Sequence, residues 1–196
     1  GASESTQCTE CPVGTYGLSA TATSAGGCTP CATGTANPLS GQSLATACVN
    51  CVEGRFQSET GKASCTACEA GKYGDAEEQK TDTCKDCGKG KYNSAAGASE
   101  STQCTECPVG TYGLSDTATS ASGCTPCATG TANPLSGRAL ATACVNCVEG
   151  RFQSETGKAS CTACEAGKYG NQVKQTAAGT GTGDGCKQCS KGRYSS

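Results

Sequence analysis

Every one of the 20 cysteines stands in a C-x-x-C pair. The ten pairs begin at Cys8, Cys28, Cys48, Cys65, Cys84, Cys104, Cys124, Cys144, Cys161 and Cys186 and close at Cys11, Cys31, Cys51, Cys68, Cys87, Cys107, Cys127, Cys147, Cys164 and Cys189. Three chemistries use such pairs. A redox dithiol needs one low-pKa thiol set in a thioredoxin-like βαβ unit, and no such unit surrounds any pair here. Structural zinc needs four thiolates, and C-x₂-C-x₁₃₋₁₆-C-x₂-C, which most intervals satisfy, overlaps zinc-ribbon spacing. Disulfides need an oxidising compartment and a chain that cannot otherwise hold itself together. The third is the main expectation. Zinc stays as the alternative, and no cofactor is expected.

The elements that must position these sulfurs have little else to work with. The chain has 196 residues with 28 Gly, no Trp, no Met and no His. Val, Leu, Ile and Phe together number 15, so the apolar fraction is mostly Ala and Cys. That is too little bulk for an ordinary globular core, and cross-links must take its place. No apolar run approaches a membrane span. A net charge of −2 gives no basic footprint for nucleic acid.

The pairs recur at intervals of 20, 20, 17, 19, 20, 20, 20, 17 and 25 residues, so the chain is an array of modules of about 20 residues. A longer period overlies the short one. Residues 1–74 match 97–170 at 70 of 74 positions, the differences being Ala20/Asp116, Gly26/Ser122, Gln42/Arg138 and Ser43/Ala139. The superrepeats are therefore 1–96 and 97–196, five modules each, and both are expected to be a window of a longer array. The copies diverge from Asp75 against Asn171, and 171–185 is the longest interval.

Each pair extends to C-x-x-C-x-x-G, and two residues past that Gly comes Tyr16, Phe56, Tyr73, Tyr92, Tyr112, Phe152, Tyr169 or Tyr194. These are all the aromatic residues of the chain; Ala36 and Ala132 replace them in the second and seventh modules. Rings confined to one slot are expected to pack on the disulfides as one-residue cores. A stacking platform for sugars or bases is the functional alternative. The Gly is expected to take φ > 0 or to let the backbone pass close to a sulfur. Runs such as 14–17 and 54–57 read as strands of two to four residues. The fold expected is a small disulfide-rich repeat array: an elongated rod or solenoid, loop-rich, with short β-strands and no helix of note.

Parity bears on connectivity. Were consecutive pairs locked two at a time, five pairs per superrepeat would make Cys8/Cys11 open a knot that the identical Cys104/Cys107 closes. A staggered scheme has no such conflict. It joins Cys11–Cys28, Cys31–Cys48, Cys51–Cys65, Cys68–Cys84, Cys87–Cys104, Cys107–Cys124, Cys127–Cys144, Cys147–Cys161 and Cys164–Cys186. Cys8 and Cys189 are then left for inter-module bonds outside this window. Closing loops of this size contributes on the order of 3 kcal/mol each.

C-P-V-G-T-Y-G at 11–17 and 107–113 resembles the opening of tumour-necrosis-factor-receptor-type modules. The whole chain is more similar to ephrin-receptor-like cysteine-rich repeats, C-x-x-C-x-x-G-x-[YF]…C-x-x-C, as in ciliate surface antigens and protist flagellar hairs (mastigonemes). The resemblance implies a rod-like extracellular module, and in the receptor family the corresponding Cys bonds the next one downstream. Ala36 and Ala132 depart from the pattern. A scaffold likeness names no ligand.

Without His, Ser-His-Asp and Cys-His catalysis are excluded, and no P-loop, dinucleotide or EF-hand motif is present. An enzyme is not expected. No N-x-S/T sequon occurs, but Ser plus Thr number 47. Thr21, Thr23, Ser24, Thr117, Thr119 and Ser120 are candidate O-glycosylation sites. The function expected is an extracellular structural protein: a disulfide-stapled rod in a filament, flagellar hair or surface coat. Its partners would be further copies or homologous repeat chains. The alternative is a cell-surface receptor or adhesin ectodomain that binds through its loops, and a shielding surface antigen overlaps the first reading.

Overall fold

A computed structural model describes residues 8–19, 24–176, 185–191 and 193. The fold is a tandem array of small disulfide-rich repeats, each built on one short antiparallel hairpin. The outgoing strand follows the module Gly, and the return strand is the dipeptide inside the next C-x-x-C. Thus Thr15–Gly17 pairs with Cys28–Pro30, Thr35–Ala36 with Val49–Asn50, and Arg55–Phe56 with Thr66–Ala67. Lys91–Tyr92 pairs with Thr105–Glu106, Thr111–Gly113 with Cys124–Pro126, Thr131–Ala132 with Val145–Asn146, Arg151–Phe152 with Thr162–Ala163, and Lys168–Tyr169 with Lys187–Gln188.

A tight turn launches each outgoing strand. The Thr15 N–H donates to the Pro12 carbonyl at 3.2 Å, and the same i→i+3 bond recurs at Thr35, Arg55, Lys72, Lys91, Thr111, Thr131, Arg151 and Lys168. The third turn residue is the module Gly, with φ of 79° at Gly14 and 83° at Gly34. That is the type II arrangement, which requires φ > 0 there. Three-residue 3₁₀ turns at Ala25–Gly27, Ala45–Ala47, Ser101–Gln103, Ala121–Gly123 and Ala141–Ala143 lead into the next cysteine. They occur in modules of 20-residue spacing; the shorter intervals, such as 51–65, have no room for them. Among the described residues there is no α-helix, and none is long and apolar enough to cross a membrane.

The chain divides into two compact units, Gly1–Lys85 with Ala95–Gln103, and Asp86–Ser94 with Cys104–Ser196. The interleaving has a cause in each unit. The loop 95–103 docks backwards, Gly97 donating to the Cys68 carbonyl at 2.8 Å and Ala98 accepting from the Gly74 N–H at 2.9 Å. The hairpin at 91–92 docks forwards on 105–106. The superrepeat boundary at 96/97 falls inside the backward-docking loop.

Candidate functional site: the staples and the loops that dock on them

The second cysteine of each pair bonds the first cysteine of the next: Cys11–Cys28, Cys31–Cys48, Cys51–Cys65, Cys68–Cys84, Cys87–Cys104, Cys107–Cys124, Cys127–Cys144, Cys147–Cys161 and Cys164–Cys186. The strand geometry dictates this. In an extended C-x-x-C the two Cα atoms lie roughly 10 Å apart, beyond the ~7 Å that a disulfide can bridge. Residues i and i+3 of a strand also point to opposite faces. One sulfur therefore closes its own hairpin and the other reaches forward into the next. The bonded Cα atoms are 5.5–5.8 Å apart. Cys8 and Cys189 carry no disulfide. Eighteen sulfurs so bonded are not thiolates, and thiolates are what zinc ligation or dithiol exchange needs. Among the described residues no cluster of three His, Cys, Asp or Glu side chains is arranged to hold a metal.

The forward-reaching cysteines are the centre of each module. Cys31, Cys68, Cys107 and Cys127 are completely buried. Beside them lies a position that the sequence reading passed over, the third residue after the module Gly. It is Gly17, Asn37, Gln57, Gly74, Asn93, Gly113, Asn133, Gln153 and Gly170 in turn. Where it is Gly, the backbone passes close to a sulfur: a Cβ at Gly17, Gly74 or Gly113 would lie 3.0 Å from Sγ of Cys11, Cys68 or Cys107. Where it is an amide, the side chain is buried and bridges backbone groups. Asn37 Nδ2 donates to the Thr15 carbonyl at 2.9 Å and its Oδ1 accepts from the Leu39 N–H at 3.0 Å; Asn133 does the same with Thr111 and Leu135. Gln57 donates to the Ser64 carbonyl and accepts from the Glu59 N–H, as Gln153 does with Ser160 and Glu155. These bonds offset the cost of burying an amide.

A backbone grid joins successive modules. The module Gly N–H donates to the carbonyl of this same third position in the next module: Gly14 to Asn37, Gly34 to Gln57, Gly54 to Gly74, Gly90 to Gly113, Gly110 to Asn133 and Gly130 to Gln153, at 2.7–3.0 Å. The forward-reaching cysteine's carbonyl accepts from the residue seven places past the next module's Gly: Cys11 from Gly41, Cys31 from Gly61, Cys51 from Glu78, Cys68 from Gly97, Cys107 from Gly137, Cys127 from Gly157 and Cys147 from Lys174. All seven donors have positive φ, from 52° to 78°, and only Glu78 and Lys174 are not Gly. Contacts also skip a module, since Gly14 abuts Gly61, Gly54 abuts Gly97 and Gly110 abuts Gly157.

The rings stand on the ladders. Tyr16, Phe56, Tyr73, Tyr92, Tyr112 and Phe152 are half-buried and Tyr169 is 44% exposed; Tyr194 lies outside the described residues. The largest fully buried side chains among the described residues are Gln175, Asn37, Asn133 and the cysteines, and no ring is among them. Across the ladder Tyr16, Phe56, Tyr92, Tyr112 and Phe152 each face a Thr. Ala36 and Ala132, both buried, face Val49 and Val145 instead. The seventh module also carries a hollow of about 470 Å³ lined by Leu135, Arg138, Leu140 and Val145 among others. Arg138 and Ala139 in its wall are two of the four positions at which 97–170 differs from 1–74.

Of the hydroxyls singled out, Ser24, Thr117 and Thr119 are exposed and Ser120 is half-buried, its Oγ 2.7 Å from Ser122 Oγ. Thr21 and Thr23 lie outside the described residues. Ion pairs among the described residues include exposed ones at Lys62–Glu59, Lys85–Asp75 and Lys158–Glu155. Lys85 Nζ donates to Asp75 at 2.7 Å, which lowers the Asp75 pKa and raises that of Lys85. Lys168 likewise lowers the pKa of Glu165.

No protein-family model matches the chain, and no curated protein aligns with it significantly.

Proposed function

We propose that this chain is an extracellular structural repeat protein, a disulfide-stapled rod that builds a filament, flagellar hair or surface coat. The supporting observation is the backbone grid. Its bonds run between main-chain groups at fixed offsets from each Gly, so they repeat from module to module while the intervening Ser, Thr and Ala vary. A chain built this way invests its constraints in propagating one geometry. Nine disulfides suit an oxidising extracellular setting. The likeness to ephrin-receptor-like and tumour-necrosis-factor-receptor-like repeats, including those of flagellar hairs, belongs to this reading, as do self-association and O-linked glycans on exposed Thr117 and Thr119. Negative-stain microscopy of native material tests it: fibres or a coat with a repeat set by the 96-residue superperiod are expected, and isolated globules overturn it.

The hollow at Leu135, Leu140 and Val145 favours a second reading, a receptor or adhesin ectodomain. It lies in a module without a ring, and its wall holds Arg138 and Ala139, where the first copy has Gln42 and Ser43. Replacing Leu135 and Leu140 by Ser would then abolish cell or ligand binding and leave any fibre intact.

A further inference from the structure

All six Leu and all seven Val of the chain are at least 45% exposed. The interior is held by cysteines and amides, so internal packing does not account for these side chains. Single exposed aliphatics are ordinary, but a set gathered beside a hollow marks a contact surface. The second superrepeat has such a set. Leu135, Leu140 and Val145 line the hollow. Exposed Leu114 is brought beside it, outside the lining, because the preceding Gly113 N–H donates to the Arg138 carbonyl at 2.8 Å.

Three of the four differences between 97–170 and 1–74 fall on this surface. Ala139 takes the hydroxyl of Ser43 out of the hollow's wall. Arg138 replaces Gln42, whose amide donates to its own loop at the Ser40 carbonyl, 3.1 Å away. Asp116, two residues past Leu114, replaces Ala20. The fourth difference, Ser122 for Gly26, is answered within the chain by Ser120. The new acid and the new base are not so answered. Both are exposed, and neither is in an ion pair among the described residues. Opposite charges that enter together beside one apolar hollow, and are not spent on each other, complement a surface bearing the same two charges in reversed order.

We propose that the hollow receives Leu114 of a second copy of this chain, with Asp116 of that second copy against Arg138 of the first. Because 114–116 and the hollow adjoin, a two-fold axis lets each chain give and receive, so the contact is isologous and is made twice. It rests on the structural reading above, as one of its lateral contacts, and gives the hollow an occupant other than a foreign ligand. The apolar fit supplies cohesion and the charges supply register. Second superrepeat meets second superrepeat, because 1–74 keeps Leu18, Leu39 and Leu44 but has Ala20 and Gln42 in place of the charges.

Sedimentation equilibrium of the 196-residue chain tests the contact, with Cys8 and Cys189, which carry no disulfide, blocked by iodoacetamide. Reversible dimers with a Kd below about 1 mM are expected. Asp116→Arg and Arg138→Asp should each weaken dimerisation about tenfold or more, since like charges then face each other across the axis. An equal mixture of the two variants should recover it, because each chain supplies the charge that the other lacks. Neither variant can pair positions 116 and 138 within itself, so recovery on mixing reads a contact between chains. Leu114→Ser, at an exposed position away from the staples, should weaken dimerisation at low and high salt alike, whereas salt should shrink the effect of the charge variants. A chain that stays monomeric at about 1 mM, single variants that dimerise as the parent does, or a mixture no better than its parts overturns the proposal. Native fibres alongside any of those results leave the structural reading standing. The recovered mixed dimer without native fibres does the reverse.

Discussion

Gly14 and Gly61, 47 positions apart, meet backbone to backbone: a Cβ placed on Gly14 would lie 2.1 Å from the Gly61 carbonyl oxygen. The second superrepeat reproduces the contact between Gly110 and Gly157. It links a module to the next but one, and it makes Gly14 and Gly110 doubly constrained, by φ near +80° and by the absence of room. Local loss of one module should therefore loosen at least its two successors within the unit, more than a strictly nearest-neighbour array would.

Gly110→Ala should cost both penalties. The left-handed backbone alone costs an L-residue about 1–2 kcal/mol, and the clash with the Gly157 carbonyl adds roughly 1–3 kcal/mol. Gly88→Ala is the control, because Gly88 has φ 83° with nothing within 4 Å of its Cβ position. It should show the first penalty only. Chemical denaturation with the disulfides intact measures the difference.

Glu78 and Lys174 hold φ of 52° and 60° at a site that is Gly in the five other modules of the docking series. Glu78→Gly and Lys174→Gly should each stabilise the chain by roughly 0.5–1 kcal/mol, the relief of left-handed strain less the extra entropy of an unfolded Gly. The ion pair that Glu78 loses with Lys80, at 3.7 Å and exposed, contributes little. A rise in denaturant midpoint with unchanged slope is the expected result.

Asn133→Ala removes a buried donor and a buried acceptor at once and strands the Thr111 carbonyl and the Leu135 N–H. Each unmet group costs about 1–3 kcal/mol. The variant should lose more stability than Leu135→Ala, whose side chain is half exposed. Hydrogen exchange at the Leu135 amide should accelerate specifically in Asn133→Ala.

The Asp75–Lys85 pair gives the first superrepeat a pH response that the second lacks, since Asn171 occupies the corresponding place. Asp75 has a lowered pKa in the folded chain, because of its hydrogen bond to Lys85. Its contribution is present above the ordinary carboxylate range and is lost as pH falls through the lowered value. Lys85 has a raised pKa, so its share is present below the ordinary lysine range and is lost as pH rises through the raised value. Both groups are exposed and salt screens them. In Lys85→Met, carboxyl NMR should place the Asp75 titration back toward that of a free aspartate, and added salt should shrink the difference between the two proteins.

The sequence by itself determined the architecture to the level of the module. Cys spacing, the recurrent Gly and the scarcity of large apolar side chains point to short strands stapled through sulfur at intervals of about 20 residues, because there is too little apolar bulk to supply cohesion otherwise. The positive φ of the module Gly was legible for the same reason, as a recurrent Gly at a turn. Only the tertiary structure decided what fills the centre. Asn37, Gln57, Asn133 and Gln153 look like polar loop residues in the sequence, and they are buried because backbone groups meet them there, in the preceding module for the two Asn (Thr15, Thr111) and in their own module's loop for the two Gln (Ser64, Ser160). The second glycine series, Gly41, Gly61, Gly97, Gly137 and Gly157, is visible as letters, but its purpose is not. Those residues turn left-handed so that their N–H groups reach cysteine carbonyls 30 positions away in most modules, and a partner so distant cannot be read from local spacing. The strand identity of the C-x-x-C dipeptide likewise emerges only when the outgoing strand is laid beside it. That pairing is what holds the two sulfurs of each pair apart and sends one of them forward.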